Sequence, residues 1–103
     1  MLKSSRQENA APTEDAALGI GIAALQFLAA QPELLERFLA LSGLDPHGLR
    51  REAQRPAFFA GLLDFMLDHE PTLDAFAAHA ELPPERIVAA RAVLARAFGT
   101  VPR

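Results

Sequence analysis

The chain contains no cysteine, no tryptophan and no tyrosine, and each absence removes a class of function. Without thiols there is no disulfide, no thiolate nucleophile and no cysteine zinc site, and a reducing compartment is the default expectation. Tryptophan, tyrosine and arginine are the side chains that stack on bases and anchor many interfaces. Here the aromatic residues are seven phenylalanines only. Basic charge is also short: ten Lys and Arg stand against thirteen Asp and Glu, a net charge of −3. That balance argues against a dedicated polyanion binder, because phosphate neutralisation supplies most non-specific affinity.

What is present is a repeat. Phe27-Leu28, Pro32, Leu34, Phe38, Leu44, Pro46 and Leu49 reappear as Met66-Leu67, Pro71, Leu73, Phe76, Leu82, Pro84 and Ile87. The offset is 39 residues as far as Leu34 and 38 from Phe38 onward, so a single-residue indel separates the copies. Each copy reads as a helix, a proline restart, a shorter helix, a tight turn closed by Leu-x-Pro, and a third helix. The expected fold is all-α, with about six short helices forming two tandem three-helix units around one shared core. The pseudo-repeat covers 13–54 and 56–99 within a single domain, 13–103. A chain of 103 residues can bury half its surface or more and needs no staple.

The polar, aperiodic residues 1–12 read as a disordered tail. Thr13 is a suitable N-cap, with Glu14 and Asp15 in the first turn where carboxylates suit the helix dipole. Asp45-Pro46 is a second start signal, Gly43 is a left-handed stop, and Gly99 ends the last helix. The helix opening at Pro56 is apolar over most of its circumference and is expected at the centre of the domain. Ala16–Leu25 is small and apolar and follows Lys3 and Arg6, as in a secretory leader. Glu8, Glu14 and Asp15 nevertheless stand where a leader needs positive charge, and the run is shorter than the roughly 20 residues that span a bilayer. The expectation is a cytoplasmic protein with no membrane partner.

Gly19-Ile20-Gly21-Ile22-Ala23-Ala24 matches G-x-G-x-x-A, the dinucleotide fingerprint. That motif works only as a strand-to-helix turn, and here it lies inside a helical run, so close helix packing explains it better. Gly19, Ala23, Gln26 and Ala30 fall on one side of the first helix as a smooth stripe with a single amide. Such a stripe lets another backbone approach closely. The partner is helix four or six of the same chain, or a second subunit in a homodimer.

The parts for chemistry are few. His47, His69 and His79 make no H-x-x-x-H pair, and Asp64, Asp68, His69, Glu70 and Asp74 lack the spaced-ligand loop of a cation site. Ser4, Ser5 and Ser42 have no nucleophile elbow. No catalytic residue, metal or cofactor is expected. The main alternative is nucleic-acid binding, because Leu73–Leu94 resembles a helix-turn-helix with contacts from Arg86 and Arg91, and from Arg50 and Arg51 in the first copy. Arg86, Arg91 and Arg96 are five apart, however, so successive ones point about 140° away from each other. Charge is also segregated. Residues 62–85 hold six carboxylates and no Lys or Arg, while arginines cluster at 50–55 and 86–103. A bipolar surface of this kind suits a protein partner or head-to-tail self-association.

The runs Phe27-Leu28-Ala29 … Pro32-Glu33 … Arg37-Phe38-Leu39-Ala40-Leu41-Ser42-Gly43-Leu44-Asp45-Pro46, then Pro56-Ala57-Phe58 … Leu63-Asp64-Phe65-Met66-Leu67 … Leu82-Pro83-Pro84-Glu85, resemble a small bacterial family of roughly hundred-residue proteins catalogued as a domain of unknown function. The resemblance covers nearly everything after the tail. Its motifs are structural, so it implies the helical fold and a bacterial cytoplasmic origin, and transfers no catalytic residue. The reading from sequence is a non-enzymatic helical interaction domain with no specified protein partner; helix-turn-helix nucleic-acid binding is the alternative.

Overall fold

The computed structural model describes residues 11–99. Among them are six α-helices and no strand: α1 (Glu14–Ala29), α2 (Pro32–Ser42), α3 (Pro46–Glu52), α4 (Pro56–Leu67), α5 (Glu70–Ala80) and α6 (Pro84–Phe98). Local chemistry sets most of the boundaries. Thr13 Oγ1 accepts the amide of Ala16 at 3.1 Å, and Asp45 Oδ1 accepts that of Gly48 at 2.7 Å, so each cap satisfies one otherwise orphaned donor. Five of the six helices carry proline in their first turn, where its missing N–H costs nothing.

α4 is the central element, as its composition predicts. Phe58, Phe59, Ala60, Leu62, Leu63 and Met66 are buried, and the helix packs on α6, α1 and α5. α1 contributes Ala17, Ile20, Gly21, Ala24, Phe27 and Leu28 to the same core, and α6 contributes Ile87, Ala90, Val93 and Leu94. α1 and α4 approach each other closely at Gly21. A Cβ built there would sit 2.9 Å from Phe59 Cβ, well inside contact distance. The glycine pair therefore serves packing at Gly21 and not phosphate binding.

Both repeat copies follow one backbone plan. Phe38 and Phe76 are buried at equivalent places, and Pro46 and Pro84 each open the third helix. Gly43 (φ 78°) and Glu81 (φ 58°) both adopt the left-handed conformation that ends the middle helix. At Gly43 that conformation is free of strain; at Glu81 an L side chain adopts it, at a cost of roughly 1–2 kcal/mol. The copies differ in closure. α6 runs 15 residues along α4, whereas α3 stops after seven and buries no residue fully.

The tail expectation lies outside the described residues except for its last two positions. Of these, Pro12 is buried beside Val93, Arg96 and Ala97 of α6, so packing begins before the first helix. No single described helix is long and apolar enough to cross a membrane.

Candidate functional site

The small stripe of α1 faces solvent. Gly19, Gln26 and Ala30 are exposed, Ala23 is half-buried, and Ile22 beside them is 46 % exposed. A Cβ at Gly19 would meet nothing within 4 Å. Of the stripe only Ala23 packs against the core, so this is not the face by which α1 chiefly meets α4 and α6. Both pack instead on the face carrying Ile20, Phe27 and Leu28. The physical reason is area: burying a large apolar side chain contributes about 1.5–3 kcal/mol, and glycine and alanine offer little of it.

No ionisable side chain stands between Asp15 and Glu33, so the outer face of α1 is uncharged over its whole length after the first turn. The outer surface of α5 shows the ordinary alternative. There Glu70, Asp74, His79 and the cap residue Glu81 are all exposed. A helix normally carries such groups on its wet side.

The arginines of the alternative reading do not form one surface. Arg50 and Arg51 are exposed on the short α3. Arg91 is half-buried and engaged with α4: its Nε donates to Asp64 Oδ1 at 2.7 Å, and its Nη2 donates to Oδ2 at 3.4 Å. Arg86 is also half-buried and takes part in an interaction of its own. The outer face of α6 carries Glu85, Val88, Ala89 and Ala92, none of which can donate to a base edge or a phosphate, and an exposed arginine, Arg96, only in its last turn. Sequence periodicity misses the Asp64–Arg91 bridge, since the carboxylate reads as part of a wet stripe and its partner lies 27 residues away.

Three of the remaining polar candidates have structural partners. Ser42 Oγ donates to Leu39 O and accepts from the amide of Leu44, both at 3.3 Å, closing the end of α2. His69 Nδ1 and Thr72 Oγ1 share a hydrogen bond of 2.7 Å at the start of α5. His79 lies over Phe27, with ring centroids 5.4 Å apart. Ser4 and Ser5 lie outside the described residues. Among the described residues no three His, Asp or Glu side chains converge as metal ligands. A shallow cleft of about 520 Å³ separates the α1–α2 corner from α5, lined by Phe27, Pro32, Leu34, Arg37, Pro71 and Thr72 among others.

The fold and its surfaces define a small helical domain built of two unequal three-helix copies, with an uncharged helix face open to solvent. The chain belongs to the family described as protein of unknown function (DUF3572), whose model matches residues 14–97. No curated protein and no solved structure matches the chain.

Proposed function

We propose that the domain is a non-catalytic, cytoplasmic protein-interaction module, and that the outer face of α1 is where a helix of a partner protein docks. The observation that carries this reading is the open Gly19 within an uncharged face. Glycine in a helix interior costs about 1 kcal/mol relative to alanine. Among the described residues nothing comes within 4 Å of a Cβ at Gly19 to offset that cost, whereas Gly21 two residues on is pressed against Phe59. A partner backbone lying across Gly19, Ala23 and Gln26 supplies the missing reason. Gln26, with its paired donor and acceptor, can hydrogen-bond to that backbone. Ile22 adds the apolar area.

The test is a photo-crosslinking amino acid at Ile22 of the full chain, expressed in the native host, with and without Gly19→Leu. Position 19 is exposed and a Cβ there meets nothing within 4 Å, so a leucine side chain projects outward and blocks the close approach of a second backbone. The expected result is a discrete adduct at Ile22 that Gly19→Leu abolishes. Equal labelling at Ile22 and at His47, exposed on α3, would refute the assignment. Nucleic-acid binding is less well supported, because Arg91 is bridged to Asp64 and the outer face of α6 carries no donor before Arg96 in its last turn. A sequence-selective mobility shift, lost in Arg50→Ala/Arg51→Ala, would reverse that preference.

A further inference from the structure

The two repeat copies are unequally covered. Ile87 is fully buried, while its equivalent, Leu49, is only partly so; Ala77 is buried, while Leu39 is not. α1 commits its inner face to α4 and α6, and α3 packs closely on no other helix. Together α2 and α3 form an arm, held to the core by Phe38, whose ring lies 5.1 Å from Phe65 and 6.0 Å from Phe58, and by the partly buried Leu34, Leu35, Leu44 and Leu49. At the end of α2, Leu41 is 69 % exposed, the most open large apolar side chain among the described residues.

Charge divides along the same line. Arg37, Arg50 and Arg51 on the arm form no ion pair with any described residue. Asp68, Glu70, Asp74, Glu81 and Glu85, around α5 and the start of α6 and across the cleft from Arg37, form none with any described residue either. Two patches match in detail. Arg37 and Leu41 lie one turn apart on α2 and share a face, and so do Glu85 and Val88 on α6. One patch is a cation beside an exposed leucine; the other is an anion beside a valine that is 51 % exposed.

We propose that a second copy of this chain covers the arm. The two copies pair about a two-fold axis, with the α2–α3 arm of each against the α5–α6 corner of the other, Arg37 meeting Glu85 and Leu41 meeting Val88. The axis makes every contact twice. The surface is separate from the outer face of α1, so the dimer presents two copies of that face to partners.

The experiment is sedimentation equilibrium of the full chain at about 0.05 M and about 0.5 M salt, which spans strong to weak screening. Wild type should dimerise, and more weakly at high salt. Arg37→Glu and Glu85→Arg should each raise the dissociation constant on the order of tenfold, because each reversal enters twice. Both changes in one chain should restore it to within about threefold, since the pair is re-formed with its signs exchanged. Circular dichroism of each variant checks that the helices persist. A wild-type chain monomeric at all concentrations overturns the proposal, as does a dimer indifferent to both reversals. If such a dimer is split by Gly19→Leu, its interface is the α1 face, and the arm pairing fails while the docking role of α1 stands.

Discussion

Alanine at Gly19 and at Gly21, introduced separately, measures the close approach of α1 to α4. Both positions lie inside the same helix, so both substitutions gain the same backbone term, about 0.8–1 kcal/mol. At Gly19 the new methyl meets open space, and the gain is kept. At Gly21 it would stand 2.9 Å from Phe59 Cβ and 3.0 Å from Cγ and Cδ1. Carbon atoms in contact sit about 3.5–4.0 Å apart, so Phe59 or its helix must give way. The nearest atom is Cβ, which cannot swing aside on a side-chain torsion, and the Phe59 ring is itself held edge-on to Phe58 at 5.2 Å. Overpacking of this kind costs about 1–3 kcal/mol. Gly19→Ala should therefore raise stability by about 0.8–1 kcal/mol. Gly21→Ala should fall below Gly19→Ala by about 1–3 kcal/mol, a gap of several degrees or more in Tm for a domain of this size. Urea and thermal unfolding followed by circular dichroism measure both. Equal shifts of the same sign would refute the assignment of Gly21 to the α1–α4 contact.

The turns and the ion pair give two more expected outcomes. Glu81→Gly removes a left-handed L residue and should stabilise the domain by about 1 kcal/mol, while Gly43→Ala at the equivalent site should cost a similar amount; urea midpoints of the two variants check the signs. A double-mutant cycle of Asp64→Ala and Arg91→Ala should return a coupling of about 0.5–1 kcal/mol, because both side chains are more than a third exposed, and that coupling should shrink as salt is raised.

Much of the helical layout is legible in the residues themselves. Thr13 and Asp45 carry cap chemistry, prolines mark the restarts, and the apolar circumference of α4 places it at the centre. The end of α5 is harder to read because Glu81 occupies a position where the backbone favours glycine. The repeat holds the missing signal, since Glu81 aligns with Gly43. The packing face of α1 is ambiguous for a different reason. Its residues are apolar or small on every side, so periodicity alone leaves two stripes in competition, and only the shapes of α4 and α6 decide between them. The Asp64–Arg91 bridge has no local signature at all, because it joins two helices whose relative placement is a property of the packed core.

The asymmetry between the copies has a more specific origin. Leu49 and Ile87 hold the same place in the repeat and differ little in hydrophobicity, yet only Ile87 is fully buried. The difference lies in the chain just beyond them. Pro56 comes ten residues after Pro46, and the residue before a proline is pushed out of helical conformation, so α3 cannot continue into α4. Its seven residues rise only about 10 Å, against about 22 Å for the 15 residues of α6. A helix of two turns offers too few inward positions to lie along a neighbour, whereas α6 offers four turns and packs against both α1 and α4. The arm with its open Leu41, and the arginines around it that pair with no described residue, thus goes with the shortness of α3, whose extension Pro56 limits. Its consequence for surface chemistry emerges once the two copies are compared in helix length as well as in apolar pattern.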